Sequence, residues 1–71
     1  MEDYDINYQT RVIEEKKALD EKITKLAYFI GCDVFDKLGE TQKELLQNQL
    51  SLMTGYSEVL GKRIALLMSG H

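Results

Sequence analysis

The residues of this chain best equipped for chemistry stand in one row toward its C-terminal end: Gln49, Tyr56 and Arg63, seven residues apart, interleaved with Leu45, Leu52, Val59 and Leu66. A spacing of seven returns to nearly the same side of an α-helix, so these polar side chains interrupt an apolar stripe. Tyrosine offers a flat face for stacking, and arginine a fork of N–H donors for a phosphate or carboxylate. In apolar surroundings, where water competes poorly, the two are minimal equipment for a nucleotide-like anion. If an N-terminal helix folds back with Ile30 level with about Leu45, then Leu19 lies level with Tyr56 and Val12 with Arg63, which brings Arg11 near Arg63. The candidate ligand-binding set is Tyr8, Arg11, Lys22, Lys25, Tyr56 and Arg63. The plainer alternative is that Gln49, Tyr56 and Arg63 make hydrogen bonds between helices, with Arg63 paired to an acid such as Glu14.

Nothing in the sequence assembles a catalytic constellation. No nucleophile stands with a histidine base, no glycine loop cradles phosphate, and Asp33 and Asp36 read as helix caps rather than a carboxylate pair. The single cysteine, Cys32, excludes an internal disulfide, and the single histidine, His71, leaves a conventional zinc site unsupported. The reading is therefore a non-enzyme without cofactor or metal.

The elements that must position the candidates follow from periodicity. Leu46, Leu50, Met53, Leu60, Ile64 and Leu67 form one stripe of a helix over 41–68, with Ser57 in the skipped position. A second stripe, rotated by one residue, runs through Leu45, Leu52, Tyr56, Val59 and Leu66. Val12, Leu19, Ile23, Leu26 and Ile30 define an amphipathic helix over 9–30, preceded by a lead-in over 1–8. Its outer face carries Glu14 with Lys17, Lys16 with Asp20, and Glu21 with Lys25 at helical spacing. Gly31 stops this helix, and Asp33 is placed to cap a short turn over 33–38 that Gly39 ends. Thr41 with Glu44 has the capping-box spacing for the second long helix. Gly55 and Gly61 inside that helix mark a bend or a close approach. The expected architecture is an all-α antiparallel helical hairpin with a short helical turn in the connection, with Phe35 and Leu38 plugging the open end of the hairpin.

Seventy-one residues form one domain and cannot build a large core. With no disulfide or metal to help, and with a second apolar stripe left over, the hairpin is expected to assemble as a homo-oligomeric helical bundle. A lone hairpin should also lack a concave surface able to enclose a nucleotide, so a ligand would sit between subunits. The net charge of −3 is uneven: residues 1–40 hold ten acids against six bases, and residues 41–71 two acids against three bases. An acidic chain without a basic run disfavours duplex nucleic acid. The acidic N-terminus lacks the pattern of a secretion signal, and the polar breaks in the Leu45–Met68 stretch exclude a membrane span, so a cytoplasmic location is expected.

Read as RVIEEKKALDEKITKLAYFI over Arg11 to Ile30 and LLQNQLSLMTGYSEVLGKRI over Leu45 to Ile64, the chain resembles a family of very small helical-hairpin proteins of tailed phages and prophages. The marks are R-V-x-x-E-K, L-D-E-K-I-x-K-L, L-L-x-x-Q-L-x-x-M and Y-S-x-V-L-x-x-R-I, across residues 9–67. Gly39, Gly55, Gly61 and Cys32 depart from the family's style. Many phage proteins of this size block host defence, and in plan the chain is similar to the anti-CBASS and anti-Thoeris sponges, short helical subunits that trap nucleotide signals between them. The resemblance implies sequestration of a cyclic nucleotide signal in the bacterial host cell, without turnover. The alternative it leaves open is a protein-binding inhibitor of a host defence or regulatory protein, of anti-CRISPR or antirepressor type.

Overall fold

The computed structural model describes the backbone of residues 2–69 and the side chains of residues 8–69. Within these the protein is all-α: α1 (Glu2–Ile30), α2 (Asp33–Asp36) and α3 (Glu40–Met68). The long helices have 29 residues each, about 44 Å at 1.5 Å per residue. They lie side by side in a body 51 Å long and 15 by 14 Å across. Tyr8 meets Arg63 near one end, Lys16 and Asp20 meet Ser57 further along, and Phe35 closes the other end, so α3 runs back along α1.

Three expectations about boundaries are corrected. The lead-in over 1–8 is helical from Glu2 onward, so α1 begins well before residue 9. The short helix covers Asp33–Asp36 rather than 33–38, and its N-cap is Cys32, which makes no side-chain capping bond. Asp33 therefore lies inside the first turn, where its charge faces the helix dipole without capping it. Likewise α3 starts at Glu40 with Gly39 as N-cap, so Thr41 and Glu44 form no capping box. The extended Gly39 backbone presents its carbonyl to the Lys43 N–H at 3.0 Å, starting the helix one residue early.

Gly31 ends α1 as expected, its N–H donating to the Tyr28 carbonyl at 3.1 Å. Phe35 is buried, edge-on to Phe29 with ring centroids 6.2 Å apart, and the Lys43 ammonium sits 5.9 Å from its centroid. These contacts seal the closed end. Along the seam Val12 and Leu60 are fully enclosed, flanked by half-buried Leu19, Ile23, Met53 and Ile64.

The second stripe of α3 stays uncovered. Leu45, Leu52, Tyr56, Val59 and Leu66 are all exposed, Leu52 by 67% and Leu66 by 66%. The accessible surface is 5656 Å², whereas a compact monomer of 8.2 kDa exposes about 4,500 Å². Two helices cover only one side of each other.

Candidate functional site

The seam through Leu60 divides α3 into two flanks, and each meets a different part of α1. On the first, Arg63 donates through Nη2 to the hydroxyl of Tyr8, and its guanidinium carbon lies 5.5 Å from the centroid of that ring. Arg63 therefore bonds Tyr8 across the helices and not Glu14, which corrects the acidic partner expected for it. Tyr8 and Arg63 are both half-buried. A guanidinium has five N–H donors, so one bond to a tyrosine orients it and leaves capacity for a fork onto an anion.

The other candidates share this flank but not one point on it. Arg11 is exposed one turn beyond Tyr8. Tyr56 is 44% exposed and two turns before Arg63, about 10 Å away along the axis. Lys22 and Lys25 are exposed further along α1, about 20 and 25 Å from Tyr8 along the axis. The structure thus brings Tyr8 and Arg63 together with Arg11 nearby, and separates them from Tyr56, Lys22 and Lys25. Gln49 stays within its own helix, its amide 3.8 Å from the Met53 sulfur.

On the opposite flank lies a polar network not foreseen as a site. Lys16 Nζ donates to Asp20 Oδ2 at 2.9 Å and to Ser57 Oγ at 2.8 Å, and Ser57 Oγ donates to Asp20 Oδ1 at 2.5 Å. The triangle is closed. Ser57 is buried and satisfied, and its hydrogen bond, followed by that of Lys16, holds the Asp20 carboxyl below its usual 3.8. Gly61 makes room for the lysine: a Cβ there would stand 3.4 Å from Lys16 Cε. The sequence signals were the polar break at Ser57 in an apolar stripe and the Lys16–Asp20 spacing, which read at first as an ordinary solvated pair.

Beside this network is an open hollow of about 610 Å³, lined by Ile13, Lys16, Lys17, Asp20, Glu21, Thr24 and Ile64. A single chain therefore does carry a concavity, on the flank away from the candidate ligand residues. It is broad and does not enclose. Among the described residues no group of three His, Cys, Asp or Glu side chains could hold a metal ion, and no helix is long and apolar enough to cross a membrane.

These features define a very small all-α protein whose two long helices pack through a narrow seam and leave an apolar stripe outside it. Comparison with known proteins narrows the class: the Sequestin family model matches residues 6–66, and the chain belongs to that family. It is also 41% identical over 58 residues to the uncharacterized 7.5 kDa protein of the denB–rIIB intergenic region of Enterobacteria phage T4, across 82% of this chain and 91% of the relative. The similarity lies among small phage proteins. No solved structure matches the chain.

Proposed function

We propose that the protein is a phage accessory protein that counters bacterial immunity by sequestering a cyclic nucleotide or related nucleotide signal between subunits of a homo-oligomer, without catalysis. It acts in the host cytoplasm, each subunit a helical hairpin in a larger bundle. The family name denotes sequestration, and the T4 relative supports the phage setting. The observation that carries the reading is the Tyr8–Arg63 pair, a guanidinium pre-oriented by an aromatic ring beside the uncovered stripe of α3. A sponge works by affinity and copy number, so positioned donors and a stacking face suffice.

The test is a melting-temperature screen of the purified protein against a panel of cyclic dinucleotides and related signals. A rise with one of them is expected. Arg63→Ala then loses about 1.5–3 kcal/mol of binding, roughly ten- to hundredfold in affinity, through the lost charge-assisted hydrogen bond. Tyr56→Ala, measured in parallel for binding and for oligomer size, tells whether the second aromatic stacks on the ligand. Absence of any nucleotide-induced shift favours the alternative, in which the exposed α3 stripe inhibits a host defence or regulatory protein.

A further inference from the structure

Among the described residues, hydrogen bonds between side chains of α1 and α3 fall at two places, Tyr8 with Arg63 and Lys16 and Asp20 with Ser57, and the enclosed Val12 and Leu60 lie between them. Leu60 stands three residues from both Ser57 and Arg63, so these leave α3 about 60° to either side of it. Val12 stands four residues from both Tyr8 and Lys16, which leave α1 about 40° to either side. A roll of α3 about this pivot therefore disturbs both links. From this geometry we infer that the Lys16–Asp20–Ser57 triangle is a register key: it selects which of the two apolar stripes of α3 faces α1, and thereby positions the Arg63 guanidinium on the Tyr8 ring. Ser57 and Asp20 are positioning residues for that pair. Their bearing on an anion held by Arg63 rests on the function proposed above; the choice of stripe does not.

A choice is needed because the stripes of α3 are close to interchangeable. A roll by one residue, about 100°, replaces Leu46, Met53, Leu60 and Leu67 by Leu45, Leu52, Val59 and Leu66, apolar for apolar. The remaining exchanges put Gln49 for Leu50, Arg63 for Ile64 and Tyr56 for Ser57. The first two oppose the roll, since they bring an amide and a cation into the seam. Ser57 is different: it is the polar member of the packed stripe, so apolar patterning alone would turn it outward in favour of Tyr56. It is nevertheless buried, at 7% exposure, because Lys16 donates to its hydroxyl and Asp20 accepts from it. Gly61, one turn on, leaves room for the lysine stem. A tyrosine ring in the place of Ser57 pushes Lys16 and Asp20 apart, so the roll opens the triangle as it draws Arg63 off Tyr8. A buried polar contact made in one packing and lost in the other discriminates between them even where it adds little to stability.

The test follows Arg63 by NMR with no ligand present. In the parent its side-chain signals carry the ring-current shift of Tyr8, and Tyr8→Leu gives their position without it. Ser57→Ala and Asp20→Ala are expected to move them toward the Tyr8→Leu position, while Asp20→Asn, which keeps an acceptor for the Ser57 hydroxyl, leaves them near the parent. Ile23→Val, a seam substitution of comparable stability cost, also leaves them in place. Apolar patterning alone predicts the opposite for Ser57→Ala, a seam as tight as before with Arg63 unmoved. Arg63 signals that stay put in Ser57→Ala, or that move equally in Ile23→Val, overturn the inference. Circular dichroism establishes that each variant is folded. As a second readout, in a Cys32→Ser parent the alkylation of Met53→Cys should speed up several-fold with Ser57→Ala and not with Ile23→Val; equal rates overturn the inference as well. Neither readout involves a nucleotide, so a ligand screen without a hit removes the proposed function and leaves the register key to stand or fall by itself.

Discussion

At the scale of single residues, the Lys16–Asp20–Ser57 triangle carries the clearest electrostatic consequence. Asp20 accepts from both partners, so its charged form is favoured in the folded chain and its carboxyl titrates below the usual 3.8. A depressed folded value means that the contribution is fully present above the unfolded value and is lost as pH falls through the folded one. Asp20→Asn should therefore flatten the fall in melting temperature below about pH 5, compared with the parent, and leave its neutral-pH slope alone. An acid limb superimposable on that of the parent counts against this role. Ser57→Ala removes a buried hydroxyl that both donates and accepts, and should cost about 0.5–1.5 kcal/mol in urea unfolding. Arg63 offers a contrast in legibility. Its placement opposite the start of α1 could be read from helical spacing, but its partner could not, because Tyr8 and Glu14, six residues apart, bracket the level expected for Arg63 and only side-chain direction selects between them.

At the scale of elements, the long helices were legible because apolar residues recur at 3.6-residue spacing without a proline to break them, and Gly31 marks the end of α1. The ends were less legible. Asp33 and Thr41 have capping chemistry, yet the backbone turns at Cys32 and Gly39, one residue earlier in the first case and two in the second. Local hydrogen bonding of a side chain is worth less than the geometry needed to bring Phe35 under Phe29, so the closing contact decides where each helix starts. The two glycines within α3 also separate on structure. Gly55 has open space around it, whereas a Cβ on Gly61 meets the Lys16 stem. Gly55→Ala should stabilise the chain by about 0.5–1 kcal/mol through helix propensity and a less flexible unfolded state. Gly61→Ala should give a smaller gain or none, since part of that propensity is spent displacing Lys16 from Ser57. Equal gains in chemical denaturation would mean that the lysine moves aside freely.

At the scale of the whole molecule, surface is the dominant fact. Leu60 and Val12 are enclosed, but a helix pair only 15 by 14 Å in section has no room for a second layer of core. The rotated stripe of α3 could be read in the sequence as surplus to one partner helix, and its five members are indeed left in solvent by the packing of α1. The hollow on the other flank runs along one face of α1, with Ile13, Lys16, Lys17, Asp20, Glu21 and Thr24 at helical spacing and Ile64 from α3, but such a mostly polar face reads in the sequence as solvated surface and gives no sign of a concavity. The surplus stripe leads to the last prediction. Leu52 and Leu66 lie away from the seam, so a charge placed there meets water within one chain and leaves α1 on α3 undisturbed. In an assembly the same charge is buried unpaired, at a cost of several kcal/mol. Leu52→Glu or Leu66→Glu should therefore reduce the mass seen by light scattering to that of one chain at micromolar concentration. The helical circular dichroism signal should stay close to that of the parent, and its melting should become independent of protein concentration. Loss of helicity in step with mass would place these leucines in the fold of the single chain; an unchanged mass would remove them from any contact between chains.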